Sequence, residues 1–307
     1  MHRRDFVRTA AGAAGTAFLP GGIGAALVPG AADSGAVRAV ASAPGVIDTV
    51  VARSGRLKQS VCRWIYERIP LPEFGRAARG MGLVAIDLLQ PEEWSVAADS
   101  GLVCSMGYPT PRRDFIRTGF NDRANHPMLL RELEQTIPAA ARAGVPNVIA
   151  MFGNRQGKSD AEGIDACVAG LDRIKALAEE RGVTICLELL NSRVDHRDYM
   201  GDRTAFGVAV VRAVDSPRVR LLYDIYHMQI MEGDVIHTIR DNAAFIAHYH
   251  TGGVPGRHEI DANQELNYRA IAQAIADTGF TGYVAHEFVP TRDPLTSLRE
   301  AFAICDV

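Results

Sequence analysis

Glu188, Asp224, His250 and Glu287 close four short apolar runs, TICLE, RLLYD, IAHYH and VAHE, in the C-terminal half of the chain. Parallel strands buried on both faces read as continuous apolar stretches, so a polar residue ending each run needs a reason. The four residues are spaced 36, 26 and 37 positions apart, each interval about one strand–helix unit. Such spacing returns every one of them to the same end of a barrel, the end where barrel enzymes carry their chemistry. Three carboxylates and an imidazole in a small space repel one another unless a cation neutralises them. Alone, each would be an ordinary strand-end group capped by water or a helix N-terminus. In register, the four predict a site for one divalent metal ion. Oxygen-rich ligation with one nitrogen suits Mn²⁺ or Mg²⁺ first, with Co²⁺ or Zn²⁺ also accommodated.

More polar residues follow the same ends. ELLNSRVDHRDYM supplies Asn191, Arg193, Asp195 and His196; DIYHMQ supplies His227 and Gln229; HTGGVPGRHE supplies Arg257, His258 and Glu259. Gly252, Gly253 and Gly256 around Pro255 allow a tight loop to approach a ligand closely. His237, by contrast, reads as a structural residue of a helix.

The elements that must position these residues are legible as alternation. Strands are expected at QSVCRW (59–64), LVAIDLL (83–89), LVCSMGY (102–108), NVIAMFG (147–153), TICLELL (184–190), VRLLYDI (219–225), FIAHYH (245–250) and YVAHEF (283–288). Between them lie segments of period near 3.6, such as MLLRELEQTIPAAARAG and DACVAGLDRIKALAEERG, the latter stopping at Gly182. Eight strands alternating with helices predict a single (β/α)8 TIM barrel over residues 56–307. A doubly wound open sheet is the alternative, but QSVCRWIYERIP lacks the glycine-rich turn that usually follows its first strand.

The heptad RRDFVRT (3–9) is nearly repeated as RRDFIRT (112–118). The first copy precedes an Ala/Gly-rich, weakly apolar stretch broken by Pro20 and Pro29. That order predicts a twin-arginine export signal and linker over residues 1–43, with cleavage near Ala32 or Ala43, rather than a membrane span. The expected destination is periplasmic or extracellular, with the twin-arginine export machinery as a partner. The second copy has no apolar stretch behind it and is expected to decorate a solvated loop.

The 307 residues are 47% apolar and 22% charged, with a net charge of -3, which gives no electrostatic reason for a nucleic-acid partner. Five cysteines at 62, 104, 167, 186 and 305 show no CxxC spacing and are expected as buried hydrophobes.

LELLNSRVDH, YDIYHMQ, VPGRHE followed by LNY, and the final HEF resemble the hydroxypyruvate isomerases of the xylose isomerase-like TIM barrel superfamily, which also holds the ketose 3-epimerases. SVCRW, IDLLQPEEW, GLVCSMGY and NHP at 125–127 fit as well, so the resemblance spans roughly residues 58–290. It implies a metal held by Glu188, Asp224, His250 and Glu287, acid/base roles for Glu188 and Glu287, and substrate contacts from His227 and Arg257, with Asn191 and His196 beside them. One departure stands out: where hydroxypyruvate isomerases carry HxQ, this chain has HYH ending in His250, the epimerases' pattern.

The expected activity is metal-dependent isomerisation of a small α-hydroxy carbonyl compound through an enediolate, of the hydroxypyruvate/tartronate semialdehyde type. A periplasmic keto-sugar epimerase is the alternative, and a non-catalytic sugar- or metal-binding barrel is the alternative of another class. A nuclease with several zinc ions fits poorly with nine histidines, few of them at strand ends.

Overall fold

The computed structural model describes residues 54–109 and 114–307. The expected export signal, both cleavage regions, Arg112 and Arg113 lie outside the described residues. Eight parallel strands close into a barrel in sequence order: β1 (Lys58–Cys62), β2 (Ala85–Leu89), β3 (Val103–Gly107), β4 (Asn147–Met151), β5 (Thr184–Leu189), β6 (Val219–Asp224), β7 (Ile246–Thr251) and β8 (Tyr283–His286). Six fall inside an expected run, β1 begins one residue before its run and β7 ends one residue after its own, and β1 pairs with β8 to close the ring. The strands are almost wholly buried because helices cover their outer face, which is why continuous apolar runs mark them. All five cysteines are buried and free.

The helices differ from expectation in one place. The segment expected as one helix from Asp165 to Gly182 is two, Asp160–Leu171 and Lys175–Arg181, joined by a turn that keeps both Leu171 and Ile174 in the core. The first begins with a capping box at Ser159 and Glu162, and the second ends on Gly182 at φ 69°, a left-handed cap that glycine adopts without strain. No helix among the described residues is long and apolar enough to cross a membrane.

The loop after β7 is the one that matters for the site. Gly253 pairs with His258 in an antiparallel bridge, and a Cβ on Gly253 would stand 2.2 Å from the Glu259 carbonyl oxygen. Glu259 then ties this loop to the one after β8, accepting hydrogen bonds from the Thr291 amide at 2.8 Å, the Thr291 hydroxyl at 2.9 Å and the Ser297 hydroxyl at 2.9 Å. Burial opposes the charge, but these donors outweigh it and hold the Glu259 carboxyl at about 2 against an ordinary 4.5. An acid depressed in the folded state stabilises above its unfolded value and loses that contribution as pH falls through the folded one. Glu259→Gln is therefore expected to cost about 2 kcal/mol at pH 7, with the difference from the parent shrinking as pH falls below about 4.5. Urea unfolding of both proteins at pH 7 and at pH 4 reads it; equal stability at pH 7 would contradict it.

Candidate active site

Strand register brings the four polar strand ends together. Asp224 of β6 is the register partner of His250 of β7, and Glu188 stands opposite Met151 on the other side of β5. Glu287 lies one residue beyond β8, where its amide donates to the Thr251 carbonyl at 3.0 Å and so extends the pairing. His250 Nδ1 lies 2.7 Å from Glu287 Oε2, 3.4 Å from Glu188 Oε1 and 3.9 Å from Asp224 Oδ2. One donor atom from each of the four residues falls within 4.8 Å of every other, and all four side chains are buried.

The donor set fits a divalent ion on the evidence of its own geometry. His250 Nδ1 has no hydrogen-bond partner among the described residues, although three carboxylate oxygens flank it. A buried ring nitrogen flanked by three acids is disposed as a ligand to a shared centre is. Three oxygens and one nitrogen also match the preference of hard and borderline divalent ions.

Arg257 now supplies the positive charge over these acids. Its Nη2 lies 2.5 Å from Glu287 Oε2 and 3.3 Å from Asp224 Oδ2, and its guanidinium stands 5.6 Å from the Trp64 ring and 5.4 Å from the Tyr226 ring. Trp64 Nε1 donates to Glu287 Oε1 at 2.7 Å. The electrostatics follow. Burial raises Glu188, and burial raises Asp224 to about 7 even with Arg257 alongside. Burial acts the same way on Glu287, but Arg257 and His250 overcome it and hold that carboxyl well below its ordinary value. His250 is raised, because the charge of Glu287 outweighs the cost of burying an imidazolium.

The four expected substrate contacts divide into two pairs. His196 and Arg257 line the cleft above the acids. His227 and Asn191 are fully buried in its wall, with Asn191 Nδ2 2.6 Å from His227 Nδ1 and from Asp195 Oδ2. The Asp224 carboxylate accepts from the His227 amide at 3.0 Å and caps the helix Ile225–Met231, so His227 holds it from behind and Asn191 holds His227. Burial pushes the His227 imidazole down and keeps it neutral. Asp195 is held in turn by the Tyr226 hydroxyl at 2.8 Å.

The cleft has a volume of about 1350 Å³ and is bordered by Trp64, Tyr108, Phe115, Arg117, Val194 and His196 among others. Phe115 and Arg117 belong to the second heptad and border the cleft; Arg117 is exposed on a turn, as expected of an arginine on a solvated loop, while Phe115 is buried with its ring edge-on to Tyr108 at 5.6 Å. Two further residues escaped the sequence reading. Trp64 ends one expected strand and Asp87 lies within another, and neither is singled out by the sequence for chemistry. An acid inside the otherwise apolar run AIDLL was the available signal for the second.

The closed ring of eight parallel strands is a (β/α)8 barrel, and the chain belongs to the xylose isomerase-like TIM barrel family, whose model matches residues 91–305. Within it the chain is hydroxypyruvate isomerase-like. It is 28% identical over 250 residues to the human protein named "Putative hydroxypyruvate isomerase", covering 76% of this chain and 90% of that one. It is 35% identical over 113 residues to the 2-oxo-tetronate isomerase of Cupriavidus necator, covering 37% and 43% of the two chains. The D-psicose 3-epimerase of Ruminiclostridium cellulolyticum is 33% identical over 124 residues, 39% of each chain. Among solved structures, a family 2 AP endonuclease from Brucella melitensis superposes with a TM-score of 0.71 at 21% identity, covering 79% of this chain and 97% of that one. An IolI protein with a bound zinc atom superposes at 0.63 with 16% identity, covering 81% and 95%. At these identities the structures establish the fold.

Proposed function

We propose that the protein is a divalent-metal-dependent isomerase of a small α-hydroxy carbonyl compound, of the hydroxypyruvate/tartronate semialdehyde type, with Glu188 and Glu287 as its acid/base pair. The observation that carries the reading is the meeting of two buried glutamates from β5 and β8 on the same imidazole nitrogen. Glu188, Asp224, His250 and Glu287 would hold the ion. When bound, it would withdraw electron density from the carbonyl and hydroxyl oxygens of the substrate and so acidify the carbon between them.

The chain's own groups would then move the proton. One carboxylate takes hydrogen from the hydroxyl-bearing carbon, and the C–H electron pair becomes the carbon–carbon double bond of an enediolate. The carbonyl oxygen gains a proton, and the neighbouring hydroxyl yields its own as the new carbonyl forms. The second carboxyl returns a proton to the adjacent carbon. Glu188 and Glu287, reaching the same imidazole nitrogen from β5 and from the end of β8, would take the two roles, exchanged in the reverse direction. His196 and Arg257 would contact substrate oxygens at the cleft wall, and Asn191 and His227 would keep Asp224 in place from behind.

One observation favours the second reading, a keto-sugar epimerase. A cleft of about 1350 Å³ is far roomier than a three-carbon acid requires. The named epimerase relative and the HYH string ending in His250 agree with it. An epimerase would use the same two carboxylates, returning the proton to the same carbon from its other side. The experiment is incubation in D₂O with Mn²⁺ and a panel running from hydroxypyruvate and tartronate semialdehyde to ketopentoses and ketohexoses. Turnover of a three-carbon acid with deuterium at the exchanging carbon is expected, and turnover confined to ketoses would select the epimerase. Product without solvent deuterium would contradict proton transfer in both readings, and tight binding without turnover would leave a non-catalytic binding barrel.

A further inference from the structure

Beneath the four candidate ligands lies a second buried cluster that the proton-transfer chemistry does not use. Asp87 of β2, Ser105 of β3, His248 of β7 and Cys62 of β1 are all fully buried there. Asp87 Oδ2 lies 2.9 Å from His250 Nε2, and Oδ1 lies 3.2 Å from His248 Nε2. The Ser105 hydroxyl donates to Asp87 Oδ1, and Cys62 Sγ stands 3.7 Å from Oδ2. Asp87 therefore meets His250 on the ring nitrogen opposite the one facing Glu188, Asp224 and Glu287. A carboxylate can only accept, so Nε2 carries the hydrogen in this contact. In the neutral ring that leaves the lone pair on Nδ1, facing the three acids.

The backbone of β2 is distorted at this point. Ile86 pairs with Cys104, Asp87 with Met106 and Leu89 with Gly107, so the register shifts on both sides of Asp87. Leu88 takes φ 56°, a left-handed conformation that strains a non-glycine residue. Regular alternation would turn Leu88 to the face opposite Asp87. With the irregularity, Asp87 reaches His250 while Leu88 borders the cleft. A strained residue retained at a bulge beside the site is the second observation pointing to Asp87.

We propose that Asp87 is a positioning residue: it fixes the tautomer and orientation of His250 so that Nδ1 presents its lone pair to the ion, and the irregularity at Leu88 brings it there. The inference rests on the metal reading of the site. Carboxylates that orient a ligating histidine typically contribute about 10–100-fold to metal affinity.

The test is titration of the metal-free full chain with Co²⁺, followed by its visible absorption, in the parent and in Asp87→Ala. One Co²⁺ per parent chain and an affinity about 10–100-fold weaker in the variant are expected. The same affinity in both proteins overturns the inference alone, whereas a parent that binds no Co²⁺ overturns the metal reading and the inference with it. Two ions in the parent falling to one in the variant would make Asp87 a ligand and likewise overturn the positioning role. Should the variant fail to fold, ¹⁵N-histidine spectra of the Zn²⁺-loaded parent decide: hydrogen on Nε2 of His250 is expected, and hydrogen on Nδ1 overturns the proposal.

Discussion

Replacing Glu287 with Gln should lower kcat by about 10²–10⁴-fold at saturating Mn²⁺ while the barrel stays folded, and Glu188→Gln should do the same. The exchange keeps volume and removes the charge that accepts a proton. Neither side chain forms part of the apolar core, so folding does not depend on it as it does on a strand leucine. Because both are also candidate ligands, the ion must be kept in excess and its content measured. A variant that retains metal but has lost turnover separates proton transfer from ligation. Glu287 carries the larger expectation: Arg257 and Trp64 both bind its carboxylate, so the amide forfeits an ion pair as well as the base. Circular dichroism and single-turnover kinetics read the outcome, and near-normal turnover in either variant would remove that residue from the acid/base role.

The second large effect is on stability. Stripped of metal, the parent should lose stability relative to Asp224→Asn as pH rises from about 4 to about 7, by up to about 4 kcal/mol. Asp224 is the main cause. Burial raises its folded value to about 7 from an ordinary 3.8, so the folded state binds more protons than the unfolded one across that window. The Asp224 contribution then falls with rising pH, whereas His286, lowered to about 3 by burial, and His227 and His196, lowered likewise, contribute stability that rises over the same range and cancels in the comparison. His250 acts in the same direction, because a raised imidazole stabilises below its unfolded value and loses that contribution as pH climbs through the folded one. Glu287 runs the opposite way, but its window lies below 4.5. A divalent ion prefers the deprotonated carboxylates, so Mn²⁺ should stabilise the protein more at pH 8 than at pH 5. At a thousand times its dissociation constant the gain is about 4 kcal/mol. Urea midpoints of the parent and Asp224→Asn in EDTA, and of the parent in Mn²⁺, at the two pH values give the answer. A difference between parent and variant that does not change with pH in EDTA, or equal stabilisation by Mn²⁺ at both, would contradict the account.

The barrel was legible because buried parallel strands are a blunt signal. Runs such as TICLELL and VRLLYD announce themselves, and a polar residue at the end of each is conspicuous. The four candidate ligands came from that contrast. What stayed hidden depends on which way side chains face once the ring closes. His227 and Asn191 follow the right strands, yet the short helix Ile225–Met231 turns His227 into the wall behind Asp224. Arg257, expected as a substrate contact, also pairs with Glu287 and Asp224, a contact that depends on the path of the loop after β7. The role of Asp87 depends on an irregularity at Leu88 that no periodicity in AIDLL discloses. The near-identical heptads show the same limit: local letters agree, while the ring of Phe115 in the second copy packs on Tyr108 beside the cleft.

Anomalous diffraction from crystals grown with Mn²⁺ addresses the shared-ion claim head on. The prediction is a single strong peak per chain at bonding distance, about 2.0–2.3 Å, from one oxygen each of Glu188, Asp224 and Glu287 and from Nδ1 of His250. A peak bound elsewhere, or full-length protein that takes up no ion while Arg257 keeps its contacts with the acids, would contradict it.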